Sequence, residues 1–189
     1  MSMPSEDRVL EEVTQPGPEM TAVPVRECGE KLVDLRAVRA LRLAGRLTPS
    51  APALLRLGVV DRLVTAQTML PEGLRLLVLG AYRPALARTR PGCSGHETGA
   101  AADLTLCMTD GAELWPGSVG FWPDTAADSR TACPAPDPVA AEHLSVLSQA
   151  LSFAGLSNYP GAWWHWSHGD CSWAYQRGVG HARYGPVDR

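Results

Sequence analysis

Residues 94–107 read Ser-Gly-His-Glu-Thr-Gly-Ala-Ala-Ala-Asp-Leu-Thr-Leu-Cys, and they join a glycine-containing loop to a strand. Glycine and small polar residues predict the loop as far as Gly99. The alternating apolar positions between residues 101 and 107 predict the strand. His96 lies on the predicted loop and Asp103 on the predicted strand. Their side chains can therefore converge on one point.

A second stretch supplies another histidine. Residues 161–166 read Gly-Ala-Trp-Trp-His-Trp and are strand-like in composition. His165, His96 and Asp103 together offer two imidazoles and one carboxylate, which leave one position open on a tetrahedral Zn²⁺. An open position is typical of a catalytic metal, although a histidine taken alone is more often structural than a ligand. The same ligands suit non-haem Fe²⁺, so that ion or another divalent metal is the alternative to zinc.

The apolar pattern elsewhere predicts a mixed α and β fold. Apolar residues recur at helical spacing over 51–70, and a short apolar run at 74–79 predicts a buried strand. Residues 110–136 are rich in glycine, proline and polar residues and predict a long loop. A second helix is predicted from Asp137-Pro138 to Gly155. Helices and strands do not alternate as βαβ units, so we expect an α+β fold with a central antiparallel sheet and flanking helices.

Length and composition indicate the class of protein. The chain has 189 residues, from which we expect a flexible N-terminal segment over 1–22 and one domain over 23–189. The net charge of −3 gives no electrostatic reason to expect a nucleic acid or an anionic membrane as partner. No secretory signal and no run of about 18 apolar residues occur, so we expect a cytoplasmic protein.

Cysteine usage agrees with that location. The five cysteines are odd in number and scattered, with no CxxC pair. We therefore expect thiols in a reducing compartment rather than disulfides or a thiolate zinc site. Cys93 is close enough to His96 in sequence to be an additional candidate ligand, but the set of three ligands does not need it.

The spacing Ser94-x-His96-x-x-Gly99-x-Ala101-x-Asp103, followed by Trp163-Trp164-His165, resembles the D-alanyl-D-alanine dipeptidases of the VanX type. These dipeptidases are zinc peptidases of a family that also contains D,D-carboxypeptidases. The resemblance covers residues from about 23 to 187. Further matching stretches are residues 23–30, 32–35, 58–63, 82–84, 103–107, 158–160 and 182–187.

The resemblance implies a role for each matching residue. His96, Asp103 and His165 would bind zinc. Arg83 would stabilise the oxyanion of the tetrahedral intermediate, as a fixed guanidinium can; without the resemblance it would be interpreted as a surface or salt-bridged arginine. The substrate would be a small dipeptide or an amino-acid-like molecule. The residues expected to line its pocket are Tyr82, Ser94 and Trp164, whereas the tryptophans as a group are expected mainly to build core around the site.

Two departures from the family put hydrolysis in question. The family has Glu-Trp-Trp-His, and its glutamate accepts a proton from the attacking water and passes it to the leaving amine. Here Ala162 holds that position, and a methyl group accepts no proton. General acid–base catalysis is worth roughly 10²- to 10⁴-fold in rate. The family also has a longer stretch between the arginine and the first histidine ligand; only the 12 residues 84–95 separate Arg83 from His96, so we expect a more open pocket and a different substrate.

Glu97, His168 and Asp170 are near the predicted ligands in sequence, but none is expected to replace the missing base. Glu97 adjoins a ligand, and such a neighbour usually points away from the metal. His168 follows His165 by an odd offset, which on a strand directs it to the opposite face. Asp170 lies in a Gly-Asp turn and is expected to form that turn. Three functions stay open: an impaired zinc dipeptidase, a metalloenzyme that catalyses a cyclisation, elimination or isomerisation, and a non-catalytic binding protein.

Overall fold

A computed structural model describes residues 18–45, 47, 52–84, 95–114, 137–159 and 162–187. The strands are β1 Leu32–Asp34, β2 Arg42–Leu43, β3 Leu54–Arg56, β4 Leu74–Gly80, β5 Ala101–Met108, β6 Glu113–Leu114, β7 Ser157–Tyr159 and β8 Ala162–Ser167. The helices are α1 Pro18–Thr21, α2 Leu57–Thr68, α3 Pro138–Phe153 and α4 Cys171–Gln176, with a 3₁₀ turn at Leu35–Ala37.

A six-stranded sheet lies at the centre of the described chain. Its order is β2-β4-β5-β8-β7, and β6 pairs with β5. Every pair in this sheet is antiparallel except β2 with β4, which is parallel. β1 and β3 form a separate antiparallel pair. The predicted α+β fold is confirmed, because α2 packs against β4, and α3 packs against β5 and β7.

The central strand β5 has two different faces. Ala102, Leu104 and Leu106 belong to the main apolar core, together with buried residues of α2 and α3. Cys107 belongs to a smaller cluster with residues of β4 on the other face. Successive side chains of a strand point to opposite faces, so Asp103 projects away from the main core. The predicted strand over 101–107 is thus confirmed, and the alternation in it directs one carboxylate to the functional face.

The first predicted helix is shorter than its apolar pattern indicated. The prediction began at residue 51, but α2 begins at Leu57. Residues 54–56 pair with β1 as strand β3, and Leu55 is fully buried there. A short apolar run satisfies helical and strand periodicity equally, so pairing with a distant strand decided the outcome. The helix ends at Thr68, before a turn in which Gly73 has φ +90°.

The second predicted helix is confirmed with its expected ends. α3 runs from Pro138 to Phe153, and the Asp137 side chain accepts a hydrogen bond from the backbone N–H of Ala140. Such a cap satisfies one N–H that the first helical turn leaves unpaired. Gly155, with φ +86°, follows the helix. In the predicted loop over 110–136, residues 113–114 form β6, and residues 115–136 lie outside the described residues.

The N-terminal prediction falls mostly outside the structure. Residues 1–17 of the segment expected to be flexible lie outside the described residues, whereas residues 18–21 form the short helix α1. The single domain expected over 23–189 stays a prediction. No helix among the described residues is long and apolar enough to cross a membrane.

The prediction of free thiols is wrong for Cys171. Cys171 forms a disulfide, and its partner lies outside the described residues. Cys28 and Cys107 are free thiols, and Cys107 is buried. The cytoplasmic location stays a prediction.

Candidate metal centre

A tight loop presents His96 to the sheet. The carbonyl of Gly95 accepts hydrogen bonds from the backbone N–H groups of Ala100 and Ala101, at 2.9 and 3.0 Å, and from the Thr98 hydroxyl at 2.8 Å. Gly99 takes φ +69°, a conformation that favours glycine. The loop therefore leads directly into β5, and His96 and Asp103 come together as the sequence predicts.

The ring of His96 is fixed by a backbone carbonyl. Its Nδ1 lies 2.7 Å from the carbonyl oxygen of Ala81, which can only accept a hydrogen bond. Nδ1 must therefore carry the proton, and the lone pair of a neutral ring is on Nε2. That Nε2 lies 3.1 Å from Oδ1 of Asp103. A carbonyl that orients a histidine in this way is a usual outer partner of a metal ligand.

His165 approaches the same oxygen from the neighbouring strand. It is the cross-strand neighbour of Asp103 in the pairing of β5 with β8. Its Nδ1 lies 3.1 Å from Oδ1 of Asp103. The candidate ligand atoms of His96, Asp103 and His165 lie within 4.8 Å of one another, and all three residues are buried.

This donor set fits a divalent metal. Two imidazole nitrogens and one carboxylate oxygen are ligands that Zn²⁺ accepts at about 2.0–2.2 Å, and tetrahedral ligands at that range lie about 3.3 Å apart. The 3.1 Å separations between Oδ1 and each imidazole nitrogen agree with this spacing. Three protein ligands leave a position for a substrate, which is typical of catalytic rather than structural sites.

Arg83 holds the other oxygen of the carboxylate. Its Nη2 donates to Oδ2 of Asp103 at 2.6 Å, and its backbone N–H donates to the carbonyl of His96 at 3.2 Å. The Arg83 side chain is 33% exposed, whereas that of Asp103 is 1% exposed. Asp103 therefore presents one oxygen to the histidines and one to the guanidinium. Part of the guanidinium stays accessible beside the centre.

Charge and burial keep the ligands in the protonation states that a metal needs. Burial would raise the pKa of Asp103, but His96 and Arg83 hold that pKa well below its usual range. Burial, together with the charge of Arg83, lowers the pKa of His96 to about 4 against the opposing effect of Asp103. At neutral pH the centre thus contains an ionised carboxylate and a neutral His96, and both can donate electron pairs to a cation.

Ala162 is fully buried and belongs to the main apolar core cluster. Its backbone is paired with Tyr159 across β7 and β8. The Tyr159 ring packs against the His165 ring, with centroids 6.0 Å apart. A methyl group is therefore present where the family resemblance predicts a carboxylate.

The three candidate replacement bases have other contacts. His168 has Nδ1 3.2 Å from the carbonyl oxygen of Gly155, and its ring packs against Trp173. Asp170 caps α4 by accepting from the Trp173 backbone N–H, as the turn prediction implied. Glu97 is half-buried and adjoins the ligand loop. Within the described residues, the only potential metal-binding cluster is that of His96, Asp103 and His165.

The structure describes two of the three residues that were predicted to line the substrate pocket. Tyr82 is buried, and its hydroxyl donates to the carbonyl of Val187 at 3.4 Å. Trp164 is buried in the main core with Trp163 and Trp166, in line with a core role for the tryptophans. Ser94 and Cys93 lie outside the described residues. A substrate pocket formed by Tyr82, Ser94 and Trp164 stays a prediction.

Sequence reasoning missed the residues that support the ligands. The carbonyl of Ala81 orients His96, and no side-chain pattern can reveal a backbone acceptor. Arg56 donates to the carbonyl of Thr98 at 2.8 Å, within the ligand loop. Asn158 contacts the backbone of β8 around His165. In the sequence, Asn158 belongs to the stretch 158–160 that carries part of the family resemblance, but its contact with β8 was not predicted.

The comparisons with known proteins agree with this centre. No protein-family model matches the chain. The chain is similar to a D-alanyl-D-alanine dipeptidase of Synechocystis sp. (strain ATCC 27184 / PCC 6803 / Kazusa), with 26% identity over 238 residues, which covers 88% of this chain and 96% of the relative. The alignment is longer than the 189 residues of this chain, so the relative has segments that this chain lacks. The chain is thus a distant relative of that dipeptidase.

Proposed function

We propose that this chain is a metal-dependent enzyme acting on a small dipeptide or amino-acid-derived molecule, and that its hydrolysis of D-alanyl-D-alanine is weak. The observation that carries the proposal is the convergence of His96 Nε2 and His165 Nδ1 on one oxygen of Asp103, with Arg83 on the other oxygen. The distant similarity to a D-alanyl-D-alanine dipeptidase supports the substrate class.

Each residue has a distinct task in this proposal. His96, Asp103 and His165 hold the metal, and Zn²⁺ is the ion that we propose, with Fe²⁺ or another divalent ion as alternative. A divalent ion in this position supplies Lewis-acid polarisation of a substrate carbonyl. Arg83 binds negative charge on the substrate through the part of its guanidinium that Asp103 does not occupy. The ion pair with Asp103 fixes the direction of that guanidinium.

Ala162 is the reason for proposing weak hydrolysis. Attack by water requires a group that accepts a proton and returns it to the leaving amine, and a positioned acid–base residue is worth roughly 10²- to 10⁴-fold. Ala162 is fully buried and has no acidic hydrogen or lone pair to offer. Metal binding and substrate binding do not depend on this group. We therefore expect the chain to bind better than it hydrolyses.

The same observation supports a second candidate function. A cyclisation, elimination or isomerisation of an amino-acid-derived molecule needs carbonyl polarisation by a Lewis acid but no activated water. Ala162 favours this candidate, because loss of the base would leave such a reaction unaffected. A purely non-catalytic binding role needs neither the open metal position nor Arg83 beside it.

The experiment has two stages on the full chain. Metal content is measured after purification and after titration with Zn²⁺, for the wild type and for His96→Ala. We expect one metal per chain in the wild type and at least a tenfold weaker affinity in the variant, since one of three ligands is gone. An absence of stoichiometric metal in the wild type would refute the proposal.

The second stage tests the substrate class. D-alanyl-D-alanine is titrated into the zinc-loaded and the metal-free protein by calorimetry, and release of D-alanine is followed over hours. We expect metal-dependent binding together with slow release. Metal-dependent binding without any release would favour the non-hydrolytic candidate. Equal binding with and without metal would contradict both enzymatic candidates and leave a binding role.

A further inference from the structure

We propose that Asn158 is a positioning residue of the metal centre, because its carboxamide holds the bulge in β8 from which His165 reaches Asp103. The inference rests on the metal centre proposed above and adds a residue that has no place in that centre's ligand set. Asn158 is on β7, the edge strand beside β8, and its carboxamide contacts the backbone of β8 at and near His165.

The register between β7 and β8 is irregular at the ligand. Asn158 pairs with Trp166, but the next residue, Tyr159, pairs with Ala162. The regular pairing is therefore interrupted between Ala162 and Trp166. On its other edge His165 pairs with Asp103 of β5. The ligand is thus aligned with its partner on one side and left without a regular ladder on the other.

The side chain of Asn158 contacts three backbone carbonyls of β8 where the regular pairing is interrupted. Its Nδ2 lies 3.0 Å from the carbonyl oxygen of Ala162, 3.1 Å from that of Trp163 and 3.0 Å from that of His165. An amide nitrogen has two hydrogens, so at least one of them is shared between two of these carbonyls. The Trp163 carbonyl also accepts from Trp166 Nε1 at 2.9 Å. A buried carbonyl that loses a donor is costly, so the Asn158 amide stabilises the irregular register.

Loss of this amide would favour a different register. Continuation of the regular pairing would place Tyr159 opposite His165 instead of opposite Ala162. The three-residue shift between these registers is odd, so it would exchange the faces of the affected side chains. We therefore expect loss of the amide to change the backbone of residues 162–165 and, with it, the distance between His165 and Asp103.

The test compares Co²⁺ binding in the full chain, because the visible absorption of Co²⁺ reports the geometry of its ligands. We expect Asn158→Ala to weaken Co²⁺ and Zn²⁺ binding by about 10- to 100-fold, as loss of an outer partner of a ligand typically does, and to change the Co²⁺ spectrum. Asn158→Ser, which keeps one donor, should fall between the wild type and N158A and provides a second variant if N158A does not fold.

Gln67→Ala is the matched control. The Gln67 amide also connects to a strand, since it donates to the carbonyl of Leu74 at 3.3 Å and accepts from the backbone N–H of Leu76 at 2.8 Å, but it contacts no ligand. Q67A should lower the melting temperature and leave the Co²⁺ affinity and spectrum unchanged. Wild-type metal binding in N158A, or an equal loss in Q67A, would overturn the inference.

A metal-free readout separates this inference from the proposed function. In a crystal structure of metal-free N158A, or of N158S, the His165 Nδ1 should no longer lie 3.1 Å from Asp103 Oδ1. An unmoved His165 would overturn the positioning role. A wild type that binds no Co²⁺ would refute the proposed function, whereas the displaced histidine would still support the positioning role of Asn158.

Discussion

Ala162 separates metal binding from proton transfer within one strand. It lies three residues before His165, is fully buried and is paired with Tyr159. The family resemblance predicts a catalytic carboxylate at this position, whereas a methyl group accepts no proton. In the proposed function, this single side chain determines which steps of a hydrolysis the chain can assist.

Ala162→Glu should restore hydrolysis. We expect the zinc-loaded variant to release D-alanine from D-alanyl-D-alanine at least tenfold faster than the wild type, because a positioned base contributes roughly 10²- to 10⁴-fold. The measurement is the initial rate at saturating Zn²⁺. Ala162→Gln is the control, since it has nearly the same size and accepts no proton at neutral pH; equal rates in A162E and A162Q would show that the missing base is not the main lesion.

His168 gives the described chain a dependence of stability on pH. Burial, together with the nearby positive charge of Arg62, lowers its pKa to about 4. The unfolded chain binds the proton with the ordinary pKa of about 6.5. A folded-state pKa below the unfolded value means that the stabilisation is fully present above pH 6.5 and is lost as the pH falls toward 4.

His168 should therefore account for part of the decrease in unfolding free energy of the metal-free protein at acid pH. Between pH 7 and pH 4 we expect the wild type to lose about 2 to 3 kcal/mol more of its unfolding free energy than His168→Gln, which cannot titrate in this range. Urea unfolding at a series of pH values measures the difference. His96 contributes a similar slope in both proteins, so parallel profiles for the wild type and H168Q would contradict the assignment.

At the scale of helices and strands, the sequence predicted the elements whose signals lie within or next to the element itself. The capping side chain of Asp137 and the glycine after α3 fixed both ends of that helix in the sequence. The alternation in residues 101–107 predicted β5, and in the structure Asp103 lies on the face opposite the main core. These features depend on periodicity and on end signals that lie within a few residues.

Elements that depend on distant pairing were not predictable in the same way. Residues 54–56 form β3 because β1 lies beside them, and their own apolar pattern favoured a helix. The contacts of Asn158 with three carbonyls of β8 and the disulfide of Cys171 also had no local signal. Such contacts are set by tertiary structure, which can override local propensity.

In the candidate metal centre, too, some features were predictable from the sequence and others were not. The three ligands were predicted from their types and spacing, and the structure brings them together. Their supports were not predicted, because the Ala81 carbonyl has no side-chain signal and Arg56 lies far from the ligands in sequence. A sequence thus indicates which atoms could bind a metal more readily than it indicates what holds those atoms in place.

At the scale of the whole molecule, Arg56 connects segments that are far apart in sequence. Its side chain is nearly buried and donates to the carbonyls of Thr98 at 2.8 Å and Gly185 at 3.1 Å, and it pairs with the Glu27 carboxylate at 3.2 Å. It also donates to the carbonyl of Glu30. One guanidinium therefore joins residues 27–30, the loop that contains His96 and Thr98, and the chain at Gly185.

Arg56→Met should destabilise the whole molecule and weaken the metal centre together. The Glu27 carboxylate is exposed, so it stays solvated when Arg56 is removed. The carbonyls of Thr98, in the ligand loop, and of Gly185 lose this donor, and each buried group left unsatisfied costs about 1 to 3 kcal/mol. We expect a loss of that size in urea unfolding of the metal-free protein, with weaker Zn²⁺ binding at temperatures where the variant is still folded. Arg36→Met is the control, because Arg36 pairs with Asp34 at 3.3 Å on the exposed surface, where an ion pair is worth at most about 1 kcal/mol. Similar losses of stability in R56M and R36M would mean that the contacts of Arg56 do not hold the three segments together.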